Sequence, residues 1–339
     1  MTTDKPFPRV GVVAIGRNEG ERLRACLESV VGQVGAVVYV DSGSTDGSVA
    51  MARGLGAEVV PLDLSRPFTA ARARNAGLAK LRAVASNLKY VQFVDGDCEI
   101  RDGWLASAVA ELDADDRLAV VCGRRRERRP EASIYNRLCD LEWDTPVGDA
   151  KACGGDALMR AAALKEVVGY DDRLIAGEEP ELCVRLRAQG WKVRRLGVEM
   201  TWHDAAMTRF QQWWRRTVRA GHAFAEGASL HGAPPERHWT RETRSNWLWG
   251  LMLPAAAIAF TWPTHGASLL LLAAYLLLGW RVARYCKRRG YTRRDAWLYS
   301  LFTVVGKIPA VVGQLQFHAN RRLGRRTRLI EYKGAAACH

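Results

Sequence analysis

The sequence predicts an α/β fold, a mostly parallel sheet with helices on both faces, followed by a helical region suited to a membrane. Three observations predict it. Short, continuously apolar runs alternate with stretches of helical periodicity from Val10 to Cys122. Polar and acidic residues collect just after those apolar runs. The last hundred residues hold long uncharged segments bordered by arginines. Apolar strands without polar alternation belong to sheets covered on both sides.

The elements follow in order. Val10–Ile15 is a β-rich run ending at Gly16, and Leu23, Leu27, Val30 and Val31 then recur at helical spacing. A second run, Ala36–Val40, ends at Asp41 and meets the turn residues Ser42–Gly47. A helix through Met51–Leu55, a strand at 58–61 and an Ala/Arg-rich helix across 68–86 come next. Tyr90–Val94 ends in Asp95-Gly96-Asp97, and a helix near 103–112 and a strand over 118–122 complete the alternation. In such sheets, ligands bind beyond the carboxyl ends of the strands, near the point where strand order reverses. Arg17, Asn18, Glu19, Asp41, Asp95 and Asp97 all fall at those ends. The segment 124–129, Arg-Arg-Arg-Glu-Arg-Arg, reads as a solvated basic loop.

Charge excludes one class of function. The 339 residues carry 50 Lys and Arg against 36 Asp and Glu, a net charge of +14. Residues 1–240 hold 34 basic and 33 acidic side chains, and residues 241–339 hold 16 and 3. The first two-thirds therefore offers phosphates no charge excess, and nucleic acid is not an expected partner. None of the eight cysteines forms a CxxC pair. They read as small buried thiols, and with no apolar leader at the N-terminus they place the globular part in the cytoplasm. Neither GxGxxG nor GxxxxGK[ST] follows a strand, so hydride transfer and P-loop chemistry lack their phosphate cradles. Asp95 and Asp97, two apart, point to a divalent cation. Paired carboxylates repel unless a cation intervenes, and Mg²⁺ takes a few carboxylates plus phosphate oxygens.

Taken together, VVAIGRNEG at 12–20, VVYVDSGSTDGS at 37–48, ARARNAG at 71–77, FVDGD at 93–97, the stretch 153–191 and TWHD at 201–204 resemble the family 2 inverting glycosyltransferases of GT-A fold. The resemblance covers about residues 8–225 in the family's order. It implies a membrane-associated bacterial enzyme moving a sugar from a nucleotide-diphosphate donor, UDP-linked by expectation, with Mg²⁺ or Mn²⁺. It also implies roles for individual residues. Asp41 accepts from the uracil ring N–H, Arg74 holds the nucleotide with Arg72 as competitor, and Asp95 meets the ribose. Glu19, Gly154 and Gly155 line the donor, the glycines leaving room beneath its sugar. Asp97 and His203 hold the metal. The base that deprotonates the acceptor hydroxyl falls on Glu179, in the first turn of a helix beside Pro180, with Glu178 in reserve. Asp46 fits a capping role, and Asp156 and the Asp171-Asp172 turn fit capping or turn roles as well as substrate contact.

The basic third of the chain reads as a membrane anchor, giving domains of 1–240 and 241–339. Crossings are expected at about 247–262 and 266–280, with Trp247, Trp249, Trp262 and Trp280 towards their ends. Seven basic residues between Arg281 and Arg294 place that loop on the cytoplasmic face of the inner membrane. The segment 296–317 contains Gly306, Lys307, Pro309 and Gly313, and reads as interfacial or re-entrant. Arg321, Arg322, Arg325, Arg326 and Arg328 then stay cytoplasmic. Such an anchor implies membrane lipids as partners and a lipid-linked or polysaccharide acceptor. Gln212 and Arg215 keep part of a processive-synthase QxxRW signature, but Arg216 stands in place of its Trp. A single-sugar transferase is therefore expected, with a processive polysaccharide synthase or a non-catalytic nucleotide-binding membrane protein as the alternatives.

Overall fold

The computed structural model of the chain describes residues 5–325 and 329–331, so Arg326, Arg328 and Cys338 lie outside the described residues. Two compact units emerge. One runs to Arg129 and resumes over Glu142–Ala206, and the other joins Pro130–Leu141 to the chain from Met207 onward. By compactness the first unit ends at Ala206.

In the first unit the elements are β1 (Phe7–Gly16), α1 (Glu21–Glu28), β2 (Val34–Asp41), α2 (Ser48–Gly54), β3 (Glu58–Pro61), α3 (Ala70–Val84), β4 (Tyr90–Asp95), β5 (Cys98–Ile100), α4 (Trp104–Ala114) and β6 (Leu118–Glu127). After α5 (Ile134–Glu142) come β7 (Gly148–Ala150), β8 (Ala157–Arg160), α6 (Ala161–Glu166), α7 (Glu178–Ala188) and β9 (Lys192–His203). Strand order is β3-β2-β1-β4-β8-β6-β9-β5, with β7 pairing β9. The chain winds outward from β1 to β3 and returns to β4 on the other side of β1, which creates the order reversal at which ligands bind. Asp41 lies in register with Gly16, and Asp95 with Ile15, so both acids flank the end of β1.

The sheet is mixed. β8 runs antiparallel to both β4 and β6. That reversal brings the chain entering β8, Gly154–Asp156, to the same end of the sheet as the carboxyl ends of β4, β6 and β9. Strand β6 also continues to Glu127, pairing with β9 up to His203. Arg124–Glu127 is therefore sheet and not the expected solvated loop. The core beneath is apolar on both faces, from Val12, Val13 and Val38 to Phe93, Val120 and Leu158. All seven cysteines among the described residues are buried and unbridged.

In the second unit, α8 (Phe210–His231), α9 (Thr240–Trp247), α10 (Leu253–Ala259), α11 (Ala274–Arg288), α12 (Arg293–Val305) and α13 (Lys307–Arg322) are joined by a π-helical turn at Leu248–Met252 and a 3₁₀ segment at Ala267–Ala273. Helices α8 and α13 meet backbone to backbone: a methyl group at Gly221 would strike the Ala310 carbonyl, and one at Gly313 the Val218 carbonyl. This contact assigns α8 to the C-terminal unit. Segment 130–141 joins it through Arg137, whose guanidinium forks onto both oxygens of Asp295 at 2.8 and 2.6 Å. Among the described residues, the helical stretches long and apolar enough to cross a membrane are Ala267–Arg288 and Arg293–Arg322. They differ from the expected 247–262 and 266–280, because the turn after Ala259 ends the first run and α11 continues beyond Trp280. The segment expected to be interfacial, 296–317, is two helices meeting at Gly306.

Candidate active site

The site assembles at the carboxyl ends of β1, β2, β4, β6 and β9, and its centre is Arg74. Residues two apart on a helix face different ways, and α3 separates the two candidate arginines accordingly. Arg72 donates to the carbonyls of Arg66 at 2.8 Å, Pro67 at 2.6 Å and Asp63, so it closes the loop before the helix. Arg74 turns to the site. Its Nη2 donates to Asp95 Oδ1 at 2.8 Å, and its Nη1 lies 2.8 Å from Glu178 Oε1 and 2.7 Å from Glu179 Oε1. The guanidinium lies 5.7 Å from the Tyr170 ring centre and is almost wholly enclosed. One buried cation thus links a strand-end carboxylate to two carboxylates in the first turn of α7. Asn75 fixes the neighbouring loop, exchanging hydrogen bonds with the Tyr170 backbone at 2.8 and 2.9 Å and donating to Asp172 at 2.6 Å.

Glu178 and Glu179 follow Gly177, whose φ of 80° turns the chain into α7. Burial, and then the adjacent Glu178 charge, push the Glu179 carboxyl up to about 7, against the pull of Arg74. A carboxylate so tuned accepts a proton efficiently near neutral pH. Gly155 lies against the same cluster. A methyl group there would come within 2.7 Å of Arg74 Nη2 and 2.9 Å of Asp95 Oδ2, whereas Gly154 faces open space.

The two acids of Asp95-Gly96-Asp97 part company. Asp95 meets arginines, while Asp97 lies 3.5 Å from His203 Nε2. Asp97, Cys98 and His203 form a buried group whose ligand atoms all lie within 4.8 Å of one another. Carboxylate and imidazole suit a divalent cation that fills its remaining positions with phosphate oxygens. Burial pushes the Cys98 thiol well above its ordinary range, which favours neutral S–H over thiolate. On the far side of His203, Nδ1 lies 3.5 Å from Glu127 Oε2, and the Trp143 ring abuts the imidazole edge-on at 4.7 Å. Glu127 is itself held by the backbone N–H groups of Arg129 and Ala205.

Asp41 is buried at the end of β2. Its carboxylate accepts from the Tyr39 hydroxyl at 3.0 Å and from the N–H groups of Gly43 and Ser44 at 2.9 and 3.0 Å. Oδ1 takes only the Tyr39 bond of these, which leaves it a lone pair for another donor. Glu19 pairs with Arg22 at 2.7 Å and packs beside Gly16 and Gly96, outside the Arg74 cluster. Asp46 accepts from Ser48 N–H at 3.1 Å, a helix-start role. Gln212 accepts from the N–H groups of Thr208 and Arg209, so this part of the partial QxxR motif caps α8.

Two residues escaped the sequence reading, Arg125 and Glu127, and Asp156 stood there between a turn role and substrate contact. Period-2 spacing was the available signal. Arg125 and Glu127 repeat the spacing of Thr201 and His203 on the strand beside them.

Residues 12–165 match the sequence model of the family described as Glycosyl transferase family 2. The pre-mycofactocin glycosyltransferase of Mycobacterium tuberculosis is 29% identical over 238 residues, which is 66% of this chain and 48% of that protein. The probable glycosyltransferase YdaM of Bacillus subtilis is 22% identical over 233 residues, 63% of this chain and 55% of that protein. The chain thus spans about half the length of these relatives. Among solved structures, mannosyltransferase PcManGT from Pyrobaculum calidifontis, in complex with GDP-Man and Mn²⁺, has a TM-score of 0.59 at 22% identity, covering 92% of this chain and 90% of that one. S. aureus TarS 1-349 has a TM-score of 0.50 at 13% identity, covering 94% and 92%. At such identities the structural likeness concerns the fold. Residues 12–165 thus match glycosyl transferase family 2, and with its sheet order and strand-end carboxylates the α/β unit of this chain has the GT-A fold.

Proposed function

We propose that the protein transfers a sugar, with inversion, from a nucleotide-diphosphate donor to a membrane-associated acceptor in the synthesis of a cell-surface glycan or glycolipid. The observation that carries this reading is the Arg74 bridge between Asp95 and the pair Glu178 and Glu179. It sets a donor-side carboxylate and a candidate base on one rigid cation. In this reading Asp41 and Asp95 orient the nucleoside, and Glu19 flanks the same crevice. The bare backbone at Gly154 leaves space for the sugar, and Gly155 lets the chain pass close to Arg74 and Asp95. Glu179, ionised near neutrality, takes the proton of the acceptor hydroxyl as that oxygen attacks the anomeric carbon opposite the leaving group. Asp97 and His203 are the residues that would hold Mg²⁺ or Mn²⁺. When bound, such a cation neutralises charge on the departing nucleoside diphosphate.

The membrane part of the proposal rests on the helical unit. Within Ala267–Arg288 an 18-residue apolar window is only 11% buried, so its leucines need a cover other than this unit's own core. The basic loop between Arg281 and Arg294 fits the cytoplasmic face of the inner membrane. Thermal unfolding of the full chain, with UDP- and GDP-sugars in the presence and absence of Mn²⁺, tests the donor reading. Stabilisation by one nucleotide sugar that needs the metal is the expected result. Stabilisation by none, or equally without metal, contradicts it.

A further inference from the structure

The strand-end carboxylate Asp95 is held from two sides, and only one of them involves Arg74. On the other side, Asp156 accepts the Asp95 backbone N–H at 3.1 Å through Oδ1. The same carboxylate takes Arg125 in a fork, with Nη2 at 2.7 Å from Oδ1 and Nε at 2.9 Å from Oδ2. Arg125 Nη2 then reaches Asp95 Oδ2 at 3.3 Å. Thr201 completes the group by donating its hydroxyl to Asp156 Oδ2 at 2.7 Å. The Asp156 and Thr201 side chains are shut from solvent, Arg125 nearly so, and the arginine lies 5.4 Å from the centre of the Trp143 ring.

From this geometry we infer that Arg125 and Asp156 are positioning residues that fix Asp95 for the nucleotide donor, with Thr201 as their brace. The inference rests on the reading that Asp95 meets the donor. Asp156 anchors the main-chain nitrogen of Asp95, and through Arg125 it also anchors the carboxylate, so both ends of one residue are tied to one buried acid. Arg74 and Arg125 each take one oxygen of Asp95, which leaves its remaining lone pairs pointing in fixed directions. A forked guanidinium can impose this; an ammonium on a flexible stem cannot. The three strands joined by Asp156 are the one that ends in Asp95, two residues before Asp97, and those that carry Arg125 and Glu127, and Thr201 and His203. The pair therefore also sets the spacing between the donor carboxylate and the candidate metal ligands.

The test is titration of the full-length protein with UDP and, separately, GDP in the presence of Mn²⁺, read by calorimetry beside thermal unfolding. Arg125→Lys and Asp156→Asn are each expected to weaken binding of the nucleotide that the wild type takes by about tenfold, the scale of one charged hydrogen bond. The double variant is expected to be no weaker than the worse single variant, because both act on one residue. In an Asp95→Asn background, Arg125→Lys is expected to change affinity by less than about twofold. Thr201→Val, which removes one bond and no charge, supplies a milder loss in the same direction should a charge variant fail to fold. Wild-type affinity in a folded Arg125→Lys or Thr201→Val protein, or additive losses in the double variant, overturns the inference alone. A wild type that binds neither nucleotide overturns the donor reading, and this inference with it.

Discussion

Two regions of the molecule invert the usual arrangement in opposite ways. The α/β unit crowds Arg74, Arg125, Asp156, Glu178 and Glu179 around Asp95, away from water. The helical unit turns Trp262, Leu270 and Leu276 outward, at 91, 75 and 78% exposure. Buried charge costs several kcal/mol per ion unless it is paired, and a broad exposed apolar surface costs solubility unless something covers it. Each region therefore carries a feature that folding alone does not ask for. In the first, the burden sits at the strand ends where open α/β sheets bind their ligands. In the second, it lies along helices long enough for a bilayer. The difference teaches where to look: inward charge marks the chemistry, and outward apolar surface marks the location.

The largest expected effect breaks the inward side of this comparison. Arg74→Met leaves Asp95, Glu178 and Glu179 without their shared cation, and we expect a loss of about 3–5 kcal/mol in chemical denaturation. Unchanged stability would mean that the buried carboxylates do not depend on it. Next comes the outward side. Leu276→Lys places a charge in the least buried apolar stretch, at about 2.5–3.5 kcal/mol if that stretch lies in hydrocarbon. The variant should move from the membrane to the soluble fraction on flotation, and undiminished membrane recovery would contradict a lipid cover. Smaller again, Glu127→Gln removes the carboxylate behind His203. Mn²⁺ affinity, read by the electron spin resonance of the free ion, should fall about tenfold.

The smallest effect sharpens the comparison through pH. The Glu179 carboxyl is raised from its ordinary 4.5 to about 7 by burial and by Glu178. Between those values the folded chain binds more protons than the unfolded one. The contribution of this group to stability is therefore full below about 4.5 and is lost as pH rises through about 7. Activity moves the other way, because the base must be ionised. The transfer rate should climb as pH passes 7 and gain only about twofold from pH 7 to 8. A flat profile from pH 5 to 8 would exclude Glu179 as the titrating base.

Much of the strand-end cluster was legible in the sequence because each strand is apolar until its last residue. Asp41 and Asp95 stand out against Val38–Val40 and Phe93-Val94, and the sheet places both beside the end of β1. The choice between Arg72 and Arg74 was not legible, since both sit in one helix and only packing decides which of them faces the loop. Arg125 was hidden for a different reason. A strand that turns charged half-way reads as a loop, and the partners that satisfy those charges lie on β8 and β9, far along the chain. The sequence left Asp156 between a turn role and substrate contact, because only an antiparallel strand, in a sheet expected to be mostly parallel, brings its amino end to the site. In the helical unit, the apolar runs were plain, but their boundaries moved because the first run ends with the helix at Ala259 and α11 continues past Trp280 to Arg288.

The central claim, that Glu179 is the base of a nucleotide-sugar transferase, is tested most directly by nucleoside diphosphate release. The measurement follows UDP or GDP freed from a panel of their sugars with Mn²⁺, by the wild type and by Glu179→Gln. The account predicts release by the wild type from at least one donor. It also predicts a fall of at least about 100-fold in the variant, with donor affinity preserved. Release by Glu179→Gln at the wild-type rate would contradict it.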